Sequence, residues 1–165
     1  MLERAHDHAI VAGASDWIVR RVTLKRMSQE NVELVLRGYH AFLDGDLAQA
    51  EALLDDDIEW HAAEGEPWRA DLAGVRAMLE ERLEEGLRIE LERCIGKGDQ
   101  VLVAFRASGV QADPTDDRLL QSRRYFTIGR YFGIVTVRSG KIVRVEDYAH
   151  MGAALAALGV DEEAI

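Results

Sequence analysis

Apolar and polar positions follow two rhythms along this chain, a helical spacing first and a two-residue alternation afterwards. Val32, Val35, Leu36, Tyr39, Phe42 and Leu43 share one face of a helix over 29–43. Ser28 is placed to cap that helix, with Asn31 three residues on. Asp44-Gly45-Asp46 ends it: Gly45 supplies a left-handed cap, and Asp46 opens a second short helix through Leu54. Ile58-Glu59-Trp60-His61 alternates and is short, which predicts a strand. Residues 65–71 read as a loop holding Pro67 and Trp68. Helical spacing returns over 72–86, with Val75, Leu79 and Leu83 four apart. Glu80, Glu81, Glu84 and Glu85 take the wet side there, and Arg82 is read as part of that solvated face.

Strands follow. Leu87, Ile89 and Leu91 alternate with Arg88, Glu90 and Glu92. After a turn over 96–99, Val101, Val103 and Phe105 share one face. A polar loop over 112–117, broken by Pro114, leads into the longest pair. That pair is Arg123 to Val137, the turn Arg138-Ser139-Gly140, and Lys141 to His150, running into an alanine- and leucine-rich helix. Three helices and then consecutive strands with tight turns predict an α+β domain, an antiparallel sheet covered on one face by helices.

The first 26 residues show no clean period. Ser28 after Met27 reads as a second natural start, so the domain is expected over 27–160, with 1–26 as an N-terminal appendage and 161–165 as a tail. The appendage is either flexible or an extra helix packed through Trp17, Ile18 and Val22. It carries five Lys/Arg and three Asp/Glu, so the overall charge of −10 leaves −12 on the rest. An acidic body argues against nucleic acid or an anionic membrane as partner. No apolar run approaches the roughly 20 residues of a membrane-spanning helix. A single cysteine, Cys94, excludes an internal disulfide, and its apolar neighbours predict a buried thiol. A cytoplasmic location is expected.

The order of elements and several local motifs resemble a known family. These motifs are Glu30-Asn31-Val32, the run from Tyr39 to Leu47, the run from Leu54 to His61, and Ser139-Gly140-Lys141-Ile142-Val143. Together they resemble the SnoaL-like branch of the nuclear transport factor 2-like superfamily. The resemblance implies a cone-shaped, mostly antiparallel sheet wrapped round three helices, with a deep apolar pocket at its open end. It also implies dimers formed through the outer face of the sheet.

On that fold, strand alternation sorts the side chains. Val103, Phe105, Tyr125, Tyr131, Gly133, Val145, Asp147 and Ala149 face the pocket, while Arg124, Phe126, Arg130 and Phe132 point outward. Trp60 enters from the first strand, Tyr39 from the first helix, and Trp68 from a lid loop, with His61 near the mouth. Such a lining suits a small hydrophobic ligand; any single one of these aromatics reads first as an ordinary core side chain. Phe126, Phe132 and Ile134 form the stripe expected to make a homodimer.

Asp147 is the candidate acid/base, because burial raises a carboxyl toward a useful range. Glu146-Asp147-Tyr148-Ala149-His150 resembles the end of the last strand in limonene epoxide hydrolases, where the matching aspartate activates water. The arginine and second aspartate of that enzyme correspond to Phe105 and Ala107 here, so one of three positions is retained. The base and oxyanion acid of steroid isomerases correspond to Trp60 and Gly133, so both are lost. A polyketide-cyclase-like role needs one pocket aspartate, which Asp147 supplies. Tyr39 and Tyr131 are candidate hydrogen-bond donors. No metal-ligand spacing and no phosphate-binding loop is present, and no cofactor is expected. Two readings follow: an isomerase, cyclase or hydrolase acting on a cyclic or polyketide-like substrate, or a non-catalytic ligand-binding or dimeric scaffold module.

Overall fold

A computed structural model describes residues 8–12, 18–22, 26–61, 69–109 and 129–161. Its strands are β1 (His8–Ala12), β2 (Ile18–Val22), β3 (Leu54–His61), β4 (Arg69–Ala70), β5 (Leu87–Lys97), β6 (Gln100–Gly109), β7 (Gly129–Arg138) and β8 (Lys141–Tyr148). Its helices are α1 (Arg26–Leu43), α2 (Leu47–Ala52), α3 (Leu72–Glu84) and α4 (Met151–Leu158). One sheet holds all eight strands in the order β2-β1-β5-β6-β7-β8-β3-β4. Every neighbouring pair is antiparallel except β3 with β8. The fold is α+β, a curved, mostly antiparallel sheet with helices packed on it.

Local chemistry sets the element ends. Gly45 sits at φ 75°, the left-handed conformation that stops α1. The Asp46 side chain then accepts from Gln49 N–H at 3.0 Å and starts α2. Asp71 caps α3 in the same way, accepting from Gly74 N–H at 2.8 Å. Ser28 does not cap α1, which begins earlier, at Arg26. Its fully buried side chain reaches the Gly98 carbonyl in the β5–β6 turn, as does Asn31 at 3.2 Å. The second helix stops at Ala52, and β3 begins at Leu54, well before Ile58. Leu54 pairs with Ile142 of β8, so strand pairing overrides the polar run Asp55-Asp56-Asp57. Arg69–Ala70, expected within a loop, forms a two-residue edge strand on β3.

The helical alternative for the leader is replaced by a hairpin. β1 pairs with β2 and also with β5 through Ala9↔Gly96, Ile10↔Ile95, Val11↔Cys94 and Ala12↔Arg93. Cys94 is buried, as its neighbours predict.

Two apolar layers flank the sheet. On the inner face Val32, Val35, Val75 and Leu79 of α1 and α3 pack on Val101, Val103, Phe105, Tyr131, Val135 and Val145. On the outer face Ala154, Leu155 and Leu158 of α4, with Val160, cover Ile95, Leu102, Ala104, Phe132 and Ile134. The expected dimer stripe is therefore corrected: Phe132 and Ile134 are 4% and 1% exposed, sealed by the chain's own C-terminal helix. Phe126, Trp68 and Tyr125, and the polar loop over 112–117, lie outside the described residues. Among the described residues no helix is long and apolar enough to cross a membrane.

Candidate functional site

Trp60 and Asp147 meet because β3 lies parallel to β8. The pairing Trp60↔Val145 leaves Asp147 two residues along β8 on the same inner face. The Trp60 Nε1–H donates to Asp147 Oδ2 at 3.0 Å. The other oxygen, Oδ1, is buried and has no hydrogen-bond partner among the described residues. Part of Asp147 remains accessible, but the carboxyl end is enclosed. Burial pushes its pKa up to about 6, against smaller opposing effects of the Trp60 hydrogen bond and the Arg82 charge.

Across β7 the residue paired with Asp147 is Gly133. Tyr39 comes down from α1 onto the same spot, its ring 6.1 Å from that of Phe105. Burial raises the Tyr39 hydroxyl well above its ordinary pKa, and the Asp147 charge adds to the rise. The phenol therefore stays protonated and can act as a hydrogen-bond donor.

These groups border a cavity of about 80 Å³. Val35, Phe42, Leu79, Phe105, Ile142 and Val145 give it apolar walls, and Tyr39, Trp60, Arg82 and Asp147 bring the polar atoms. A water needs roughly 10–15 Å³ of such space, while sites for drug-sized ligands run to about 300–1,000 Å³. The enclosed part thus suits one small ring or a few waters, and a larger ligand must extend through the opening. Asp147 is the single carboxylate among the described lining residues.

Arg82 was read as solvated, and the structure corrects this. It is 8% exposed, lines the cavity, and donates to Glu85 Oε2 at 3.2 Å. Its spacing carried the signal: Arg82 lies seven residues after Val75 and three after Leu79, within the apolar stripe of α3. Placing a guanidinium in the last turn also complements the helix dipole.

Other candidates fall elsewhere. Tyr131, paired with Phe105 across β6 and β7, stacks beside it with ring centroids 5.9 Å apart and does not line the cavity. His61 lies on the opposite face of β3 from Trp60, with Nε2 3.4 Å from Glu59 Oε2. Ala149 is exposed beyond the end of β8 rather than facing the cavity. Among the described residues no three His, Cys, Asp or Glu side chains converge as metal ligands.

Comparison with known proteins places this fold in a wider group. No curated protein matches the sequence. Among solved structures, Bal32a from a soil-derived mobile gene cassette superposes with a TM-score of 0.60 at 15% identity, covering 81% of this chain and 98% of its own. An LEH-like epoxide hydrolase of M. tuberculosis gives 0.59 at 17% identity, over 81% and 88%. TerC, co-crystallised with polyporic acid, gives 0.58 at 23% identity, over 79% and 98%. At these identities the likeness is one of fold alone. The SnoaL-like domain family matches residues 35–145, which span α1 from its third turn through the middle of β8 and so hold every cavity-lining residue except Asp147. With two-thirds of its length matched, the chain belongs to the SnoaL-like family.

Proposed function

We propose that this chain binds a small hydrophobic cyclic or polyketide-like molecule in the cavity, and that Asp147 acts on it as an acid/base. One observation carries the reading: a buried carboxylate with one oxygen fixed by Trp60 and the other bare, at the wall of an otherwise apolar space. Such a group takes a proton from an acidic C–H of the ligand, or for a hydrolysis from an attacking water, and the proton returns to the product oxygen or carbon. The net chemistry is an isomerisation, a ring closure or a hydrolysis, with no redox change. Tyr39 donates to a ligand oxygen, Arg82 balances the developing charge, and Trp60, Phe105 and Val145 shape the space. Tyr131 braces Phe105 from the neighbouring strand. His61 faces outward and takes no part in this reading. The co-crystal of TerC with polyporic acid supports an organic ligand in this fold.

The base form of Asp147 dominates above about pH 6, so turnover should rise through that pH. Asp147→Asn should lower turnover by about 100-fold or more in a screen of enolisable and epoxide-bearing ring compounds. Undiminished turnover in that variant ends the catalytic reading.

A second reading is a non-catalytic ligand-binding module. It is favoured by the lining, in which, among the described residues, Asp147 has no second carboxylate to work with. It predicts a ligand-induced rise in melting temperature without turnover.

Self-association through the outer sheet face is retained in modified form. The half not covered by α4 carries Arg88, Glu90, Glu92, Arg106 and Arg130, and Glu92 already pairs with Arg106 and Arg130. A homodimer on that surface is held by charge and weakens with salt. A cytoplasmic location belongs to the same proposal, on the strength of one buried, unpaired cysteine.

A further inference from the structure

Gly133 sits in the interior of β7, one of the central strands, where a glycine weakens a sheet. Its backbone gives no reason for a glycine, since its φ is not in the left-handed region. The reason lies above it. A Cβ at this position would stand 3.1 Å from Asp147 Oδ1, 3.2 Å from the Tyr39 hydroxyl and 3.8 Å from Phe105 Cε1. The first two distances are tighter than ordinary carbon–oxygen contact. The bare oxygen of the carboxylate and the phenol oxygen therefore close over one point of the strand, and a side chain there makes at least one of them give way by a few tenths of an ångström.

We infer that Gly133 is a positioning residue, whose missing side chain lets Asp147 Oδ1 and the Tyr39 hydroxyl converge at the cavity wall. The inference rests on the reading of Asp147 as the acid/base of this site. Residues of three elements set the surroundings of that carboxyl: Tyr39 from α1, Trp60 from β3 and Arg82 from α3, the last paired with Glu85. A methyl group on Gly133 alters their spacing without adding a charge.

The test uses Trp60 as a built-in probe. The chain has three tryptophans, and the Trp60 indole N–H is bound to Asp147. Its amide-type NMR cross-peak, assigned with Trp60→Phe, reports the protonation of Asp147 as pH is varied. Gly133→Ala should move the midpoint of that titration by at least about half a pH unit, a change of about threefold in proton affinity. Gly133→Ala/Tyr39→Phe, which removes the phenol oxygen that the new methyl meets, should bring the midpoint back toward that of Tyr39→Phe alone. A merely structural role for Gly133 would lower the melting temperature in both variants and move neither midpoint. An unchanged midpoint in folded Gly133→Ala overturns the inference. Should that variant not fold, the double variant decides: recovery of a folded, titrating protein supports the positioning role, and failure of both overturns it. These readouts need no substrate, so they stand apart from the turnover of Asp147→Asn.

Discussion

Replacing Asp147 by Asn should strengthen the fold while it removes the proposed acid/base. Burial lifts the carboxyl from an ordinary 3.8 to about 6. Between those values the folded chain holds a proton that the unfolded chain has released. The unfolded state thus binds fewer protons, and stability falls as pH rises through this window. Above it the folded protein carries the whole cost of a buried charge. At about 1.4 kcal/mol per pKa unit, that cost is on the order of 3 kcal/mol. Asparagine is neutral at every pH, and its side-chain carbonyl can still accept from Trp60. Above pH 7 the variant should gain up to about 3 kcal/mol, a rise of roughly 6–12 °C in Tm for a chain of this size. Below about pH 4 both proteins are neutral at this position and the difference should close. Thermal or urea unfolding of both proteins across pH 4–8 measures it. A gap that is missing at pH 8, or that does not change with pH, refutes the assignment of an enclosed, costly carboxylate at this site.

Two further outcomes follow from the same geometry. Arg82→Met keeps the apolar stem but removes the charge that lowers the Asp147 pKa, so the Asp147 midpoint should rise; it also leaves Glu85 without its guanidinium, at roughly 1–3 kcal/mol in urea unfolding. An unmoved midpoint would separate Arg82 from the site. We propose further that the folding unit begins near Met27, because β5 keeps its long ladder with β6 when the leader hairpin is gone. Deleting residues 1–26 should then shift Tm by less than about 4 °C, or roughly 1 kcal/mol, and a much larger loss would make the hairpin part of the folding unit.

Much of this fold is local and could be read from the chain. The caps at Gly45 and Asp46, the alternation of Val101, Val103 and Phe105, and the turn at Ser139-Gly140, where φ is 49° and 73°, depend on residues close in sequence. What was missed depends on partners far away. Ile18–Val22, apolar at both ends with Arg20 and Arg21 between, is too short to tell strand from helix, and the open edge of β5 decides it by way of β1. Alternation placed Phe132 and Ile134 on the outer face correctly but could not say what lies over them. Asp147 stood out as an acid in an apolar strand, yet its partner Trp60 is 87 residues away, and the parallel pairing of β3 with β8 brings them together. Arg82 was hidden by its acidic neighbours, although its place in the α3 stripe marked it as inward.

The helix over the back of the sheet has a consequence for how the chain is made. α4 follows every described strand, so β5, β6 and β7 leave the ribosome before their lid does. Until about the 158th residue is free, a nascent chain shows Ile95, Leu102, Phe132 and Ile134 to its surroundings as a sticky plate. A premature stop after Tyr148 would spare every residue lining the cavity, yet it would leave that plate bare for good. Such a product should be a client for chaperones and prone to clumping, so a lesion remote from the candidate site could abolish the protein as thoroughly as one within it.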